Sequence, residues 1–510
     1  MDEVPPLASP SPRATVAVCI AMVVVGLNTT AITIATRGMA HDLGASMRDL
    51  EWIMGAYLIA AAAFALVGGR LGDVAGRTSV LLAGLAVFVV GSLAAAAAPD
   101  TPLLIAARAV QGLGAALIMP ASIEMIVAYP PGRGASEGFR ARGVVYATAF
   151  GLGPLLGGIL TDNVSWRAVF VFEAVVALGA VAVAVPLLGR HSAAPKRPTR
   201  DLRGAALTVV ATVLVVLLAS QPHRWGWTSP AVFGCAALLA VTLLALRHVE
   251  LHTHHPLVHP SLLRDRIVIG ANVATLGASI AMVGLIYFFN LFAQSAVGFR
   301  STAVQVGLTL VPFTVSIVVF AVLASLLSRR FSFEGPVVCG LGLAVLGFVA
   351  LSRVTVGVTE QQILFPLVLC GVGAGIANAG LTNPAVMTPP RKRVDEAAGL
   401  VSLSRFLGSA IAIAIGTATY LAVGVDPKGN ELAATGEQAD AMLLGTGAFD
   451  RAVATLGADL RTPFEAAARA STVDAFASTM RMTAFGLALL TGLAIWLLRP
   501  RRDHPSVLGK

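Results

Sequence analysis

The chain has 510 residues, 56% of them hydrophobic and only 12% charged, with a net charge of +9. Soluble domains carry about twice that charged fraction, and the mean hydropathy of +0.81 belongs to a chain solvated mostly by lipid. The positive charge does not point to nucleic acid, because the basic residues are scattered between apolar runs rather than gathered on a soluble domain.

Each helical crossing needs about 20 apolar residues, so the composition has room for about 14 spans. In chain order they are expected at 14–36, 52–70, 79–98, 102–128, 143–162, 166–188, 204–221, 230–248, 267–294, 304–328, 336–354, 363–388, 399–423 and 479–498. These runs lack the period of two that barrel strands require. The reading is an all-α polytopic membrane protein. The first run is long enough to cross, and Asp2 and Glu3 make a poor start for a cleaved signal.

With the N-terminus inside, inner loops and tails hold 23 Lys and Arg residues and outer ones hold 11. The positive-inside bias therefore places both termini in the cytoplasm. The tail 1–13 is rich in proline and serine and is expected to be disordered. The long outer loop 424–478 carries eight acids against four basic residues and includes segments, such as 448–470, able to form amphipathic helices.

The most informative segment is Gly68-Gly69-Arg70-Leu71-Gly72-Asp73-Val74-Ala75-Gly76-Arg77. Gly69, Gly72 and Gly76 permit a tight reversal and close backbone approach. Asp73 and Arg77 set opposite charges four residues apart, where they pair locally or grip neighbouring helix ends. This stretch resembles the G-x-L-x-D-x-x-G-R loop of the major facilitator superfamily. Further segments are similar to its fourteen-span drug:proton antiporter branch: Arg108-Ala109-Val110-Gln111-Gly112-Leu113-Gly114-Ala115-Ala116, Gly153-Pro154-Leu155-Leu156-Gly157-Gly158, Leu50-Glu51-Trp52 through Tyr57, and Ser165-Trp166-Arg167. Glu250 with Pro256-Leu257, and Gly399 with Arg405-Phe406-Leu407-Gly408, extend the likeness more weakly into the second half. The second-half counterpart of the Asp73 loop, Ser328-Arg329-Arg330-Phe331, lacks the acid and the glycines.

The resemblance implies two six-helix bundles related as parallel repeats, 14–189 and 267–499. Between them, the segment 190–266 carries an inserted helix pair at 203–249, and a second tail follows at 500–510. Substrate would bind near the midplane and reach alternate sides as the bundles rock.

Ionisable residues within spans are expensive and point to function. Arg108 lies roughly 9 Å below the outer boundary of span four, where the motif context implies tuning of a nearby acid for proton coupling. The family usually supplies an acid in a first-span L-D-x-T pattern. This chain reads Leu27-Asn28-Thr29-Thr30, and Arg37 stands where that pattern ends in proline. Asn28 cannot release a proton; it serves a substrate contact or a helix–helix hydrogen bond. Glu173, where the family usually shows an uncharged polar residue, lies roughly 10 Å deep, comparable to Asn28 and Arg108. It is the first candidate to replace the missing acid. Glu124 lies roughly 24 Å beyond Arg108 and about 160° round the helix, which places it near the cytoplasmic mouth. It is the second candidate, and headgroup snorkelling is its alternative. Gln111 and Asn378 join Asn28 as candidate cavity residues, and Asn383 with Pro384 adds a polar, kinkable element. Gly153, Pro154, Gly157 and Gly158 thin and bend span five, in tight packing or in antiport mechanics.

No metal, cofactor or ATP-binding site is expected. Cys19, Cys235, Cys339 and Cys370 sit in apolar stretches without ligand spacing. His252, His254, His255 and His259 read as a solvated loop, and no Gly-x4-Gly-Lys-Ser/Thr phosphate loop occurs. The expected function is proton-coupled export of amphipathic or lipophilic compounds across a bacterial plasma membrane, with substrate, protons and lipid as partners. A lipid, siderophore or metabolite carrier with altered coupling is the alternative, and a non-transporting receptor or scaffold comes third.

Overall fold

The computed structural model describes residues 12–127, 133–188, 202–221, 225–226, 228–253, 256–327, 334–387, 393–424, 443–444, 447–455 and 458–498. The expected tails, most of the stretch 190–203, His254, His255 and Ser328-Arg329-Arg330-Phe331 lie outside them, as do the side chains of Asp73, Asn383 and Pro384.

Fourteen helices among the described residues are long and apolar enough to cross a membrane. The first six are α1 (Pro12–Ile34), α2 (Met47–Ala75), α3 (Arg77–Ala96), α4 (Thr101–Val127), α5 (Arg133–Asn163) and α6 (Trp166–Leu188). The inserted pair is α7 (Leu202–Ser220) and α8 (Pro230–His252). The last six are α9 (Arg266–Gln294), α10 (the collinear pieces Ala303–Thr309 and Val311–Leu327), α11 (Glu334–Leu351), α12 (Glu360–Met387), α13 (Val394–Gly424) and α14 (Ala458–Leu498). Each coincides with an expected span, although α14 is 41 residues long and takes in the last third of the segment read as an outer loop. A short helix, Gly447–Thr455, precedes it.

Local chemistry fixes the boundaries. Ser46 and Asp49 form a reciprocal capping box at the start of α2, and Thr302 and Gln305 form another at α10. The Asp265 side chain accepts from the first amides of α9. Gly76, at φ +86°, makes the whole turn between α2 and α3, a backbone angle that side-chain-bearing residues rarely adopt.

Helix packing repeats with an offset of eight. In the first half α1 packs on α5 and α6, α4 on α2 and α3, and α3 on α6; in the second α9 packs on α13 and α14, α12 on α10 and α11, and α11 on α14. This is the parallel-repeat architecture of two six-helix bundles. The halves meet along two seams, α2 with α13 and α5 with α10. Helix α7 lies along the α2–α13 seam, while α8 packs on α7 and exposes most of its apolar surface.

One proline break inside the spans is repaired by a neighbour. Pro154 has no amide hydrogen for the carbonyl of Phe150, and the Thr30 hydroxyl of α1 donates to that carbonyl at 2.8 Å. Pro120 likewise frees the carbonyl of Ala116, onto which Gly68 of α2 packs with no room for a side chain.

Candidate functional site

Three buried clusters stand out: one at mid-depth in the first bundle and one at each end of the inter-bundle seams. In the first, Arg108 of α4 is fully buried and spreads its guanidinium over three acceptors. Its Nε donates to the carbonyl of Ile53 at 3.1 Å, and Nη1 donates to Asn28 Oδ1 at 3.1 Å and Gln111 Oε1 at 2.7 Å. The Tyr57 ring lies 4.4 Å beneath it. Asn28 Nδ2 then donates to Glu173 Oε2 at 2.8 Å, and Gln111 Nε2 donates to the same oxygen at 3.3 Å and to Ser92 Oγ at 2.7 Å.

The structure thus brings Asn28, Arg108, Gln111 and Glu173 into one network drawn from α1, α4 and α6, with Ser92 from α3. Glu173 is 1% exposed, so α6 turns this residue inward although its opposite face is open. Asn28 and Gln111 use all their polar atoms inside the network and present none to the gap between the bundles. Two buried atoms in it, Arg108 Nη2 and Glu173 Oε1, have no hydrogen-bond partner among the described residues.

Glu124 belongs elsewhere. Fully buried, it does not reach headgroups; its Oε2 lies 3.6 Å from Arg77 Nε, and it packs against Gly72, where a side chain would collide with the carboxylate. Arg77 Nη2 also pairs with Asp395 Oδ1 at 3.0 Å, and Arg70 Nη2 with Glu396 Oε1 at 3.3 Å. Asp395 and Glu396 stand in the first turn of α13, where the helix dipole favours acids. Gly69 allows the backbones to close, since a β-carbon there would sit 2.7 Å from the Asp395 carbonyl. Beside them, His259 donates its backbone N–H to Glu396 Oε2 at 2.7 Å, tying the segment after α8 to the same cluster. This end of the molecule, the α2–α3 face, is held by charge.

The opposite, α1–α2 face is held by amides and backbone. Asn290 Nδ2 of α9 donates to the carbonyl of Thr33 at 2.9 Å and to Thr36 Oγ1 at 3.0 Å, and Gln294 Nε2 donates to the carbonyl of Ile34 at 3.0 Å. These carbonyls end α1 and have no helical donor. Asp162 at the end of α5 reciprocates, accepting the backbone amides of Ala303 and Val304 at 3.3 and 2.8 Å. Arg37 lies in the helix Thr36–Leu43; burial lowers its pKa, and nearby Asp450 and Asp162 oppose that effect.

The glycine motif of α5 faces two partners. Side chains at Gly153 and Gly157 would strike Thr30 Oγ1 and the Ala31 carbonyl of α1. On the seam, a β-carbon at Gly158 would stand 2.5 Å from the Ala303 carbonyl, and one at Gly307 of α10 would stand 2.8 Å from the Pro154 carbonyl. Asn378 sits on the second bundle, where its Oδ1 accepts from Arg405 Nη1 at 3.3 Å.

Sequence reading passed over Arg142, Asn290 and Gln294. Arg142 precedes the expected start of span five by one residue and was indistinguishable from the basic loop residues beside it. The two amides sit in a long apolar run, where only their four-residue spacing on one helical face hinted at a shared task.

Residues 16–413 match the family model described as Major Facilitator Superfamily. The chain is 32% identical to the cephamycin export protein CmcT of Amycolatopsis lactamdurans over 421 residues, covering 80% of this chain and 84% of that one. It is 31% identical to a methylenomycin A resistance protein of Streptomyces coelicolor, covering 76% and 81%. It is 28% identical to the multidrug resistance protein Stp of Mycobacterium tuberculosis, covering 75% and 71%. Among solved structures, a POT family transporter in complex with a thioalcohol-conjugated peptide matches with a TM-score of 0.62 at 15% identity, covering 95% and 96%. The human organic anion transporter MFSD10 matches with a TM-score of 0.56 at 17% identity, covering 94% and 100%.

Proposed function

Because the chain belongs to the Major Facilitator Superfamily, we propose that it is a secondary exporter of antibiotic-like or lipophilic compounds, driven by proton antiport. The export half of this reading is supported by the relatives, which are named for cephamycin export, methylenomycin A resistance and multidrug resistance. The coupling half rests on one observation: Glu173 bonds through Oε2 to Asn28 while its Oε1 has no partner among the described residues, and Arg108 stands behind Asn28.

In this scheme Glu173 takes the place of the first-span acid. As a carboxylate it accepts from Asn28 and Gln111 and is balanced by Arg108. Taking up a proton at Oε1 removes that balance, and the α1–α4–α6 packing relaxes with it. A change of protonation thereby becomes a change in how α1 sits, and α1 carries the carbonyls that close the α1–α2 face.

The basic bias of the loops supports cytoplasmic termini, and on that reading the Arg77–Asp395 cluster is the inner closure and the Asn290–Gln294 contacts the outer one. The bundles 14–189 and 267–499 rock about the seams, and Gly69, Gly72, Asp73, Gly76 and Arg77 bias the inner closure. Asn28 in place of the usual acid favours one second reading, a carrier of lipid, siderophore or metabolite without proton coupling.

Purified protein in proteoliposomes, given an imposed pH gradient and a panel of dyes, antibiotics and lipids, tests both. Uphill accumulation that a protonophore abolishes, and that is absent in Glu173→Gln, is the expected result. Movement only down the substrate's own gradient, unchanged by pH, would establish the carrier reading.

A further inference from the structure

The arginines at the clusters described above have acids: Arg70 has Glu396, Arg77 has Asp395 and Glu124, and Arg108 has Glu173 within electrostatic reach. For Arg142 and Arg405, on the faces where the bundles meet, no acid partner occurs among the described residues. Arg142 of α5 is 6% exposed, and its hydrogen bonds go to Ser122 Oγ at 3.0 Å and Met119 Sδ at 2.9 Å. Among the described residues, the ionisable groups within its reach are Arg405, Tyr146 and Cys19, none of them a carboxylate. Arg405 of α13 donates to Asn378 and lies over the ring of Tyr146 at 5.3 Å, and Tyr146 is one turn from Arg142 on α5.

Two guanidiniums from opposite bundles therefore approach each other where the bundles meet, without an acidic counter-charge among the described residues. Buried charges are ordinarily paired, and an unpaired cation facing another cation is costly. We propose that Arg142 and Arg405 form an anion subsite, which takes the carboxylate or sulfonate of an amphipathic organic substrate. This deepens the exporter reading by naming the substrate class and rests on it only for the transport step.

The surroundings suit such a ligand. A planar guanidinium fork matches a carboxylate or sulfonate through paired hydrogen bonds. Tyr146 and Phe150, with ring centroids 6.2 Å apart, offer an aromatic surface beside the charge. Met119 touches Arg142, Met22 lies 3.6 Å from Ser122 Oγ, and Met282 lies 2.9 Å from Asn378 Nδ2. Methionine is a pliable lining that accepts varied apolar shapes. Because the arginines come from different bundles, the anion bridges the two halves, and substrate occupancy is coupled to their approach. Cationic amphiphiles meet like charge here and are disfavoured.

The test is equilibrium binding to the full-length protein in phosphatidylcholine nanodiscs, with empty nanodiscs as the partition control. The probes are pyrenebutanoate, its methyl ester and a pyrenebutyl trimethylammonium. Wild type is expected to bind the carboxylate about tenfold or more tighter than the ester, with the cation weakest. Arg142→Gln and Arg405→Gln each reduce the preference, the double variant abolishes it, and Arg142→Lys keeps part of it. Ester binding on the same samples reports that each variant is folded, and the less buried Arg405 position decides the matter if Arg142→Gln does not fold. Equal wild-type affinity for carboxylate and ester, or a preference that survives in the double variant, overturns the subsite. Proteoliposome flux separates this from the parent reading. Carboxylate-selective binding without transport of any probe sinks the exporter and leaves the subsite, whereas transport of ester and cation without carboxylate preference does the reverse.

Discussion

The hydroxyl of Thr30 donates to the carbonyl of Phe150, the acceptor that Pro154 leaves without a helical partner. The bend in α5 and the polarity of α1 are thus one arrangement. Thr30→Val should lower stability by about 1 kcal/mol, since a buried acceptor loses its donor in lipid, while Thr30→Ser should stay near wild type. Gly153→Ala, whose methyl would strike the Thr30 hydroxyl, should be worse than either. Unfolding in detergent, followed by circular dichroism, ranks the three; a stable Thr30→Val would mean that Phe150 finds another donor.

Arg108 holds the backbone of α2, Asn28 of α1 and Gln111 of its own helix at once. Arg108→Ala should abolish pH-driven export. Arg108→Lys should recover only a fraction, roughly a tenth, because one ammonium cannot span three acceptors in that plane. Full activity in the alanine variant would reduce Arg108 to a structural charge.

Glu173→Gln keeps the shape of the network and removes the titrating group. Transport should lose its dependence on the pH gradient, and Asn28→Asp should restore part of it in that background, since residue 28 lies 2.8 Å from the lost carboxylate. Flux measured against imposed gradients of either sign checks this. Unchanged pH dependence in Glu173→Gln would remove the acid from the coupling scheme.

The two closures should respond in opposite senses. Asn290→Leu with Gln294→Leu strips donors from the end of α1 and should favour opening of the α1–α2 face by roughly tenfold, the effect of about 1–2 kcal/mol. Arg77→Ala weakens the α2–α3 face instead. Maleimide labelling of a cysteine at position 33, in a background lacking the four native cysteines, should rise with the first change and fall with the second. The same direction for both would contradict alternation between the faces.

The spans were legible because twenty apolar residues in a row leave the backbone little choice but helix in lipid. Depth was legible for the same reason: a fixed rise per residue put Asn28, Arg108 and Glu173 at one level. Rotation was not. Glu124 shares a helix with Arg108 yet pairs with Arg77 from another element, and only tertiary packing decides that. Arg142 was hidden by its position at a span edge, where a basic residue ordinarily faces headgroups. Helix within 448–470 was legible from its amphipathic pattern, but its continuity with the last span from Ala458 was not, since exposed helix beyond the membrane carries no hydropathy signal.

Gly158 against the carbonyl of Ala303, and Gly307 against that of Pro154, make the α5–α10 seam a contact of main chain on main chain. At these two points no rotamer stands between the helices, and side chains enter the seam beside them, where Asp162 accepts from Ala303 and Val304 and Gly151 packs on Thr314. The α2–α13 seam, clamped by ion pairs and overlain by α7, resists the same displacement. The rocking proposed above should therefore be lopsided, freer along the edge of close main-chain contacts than along the charged one. A single methyl group on the smooth edge would seize it without touching any charged residue.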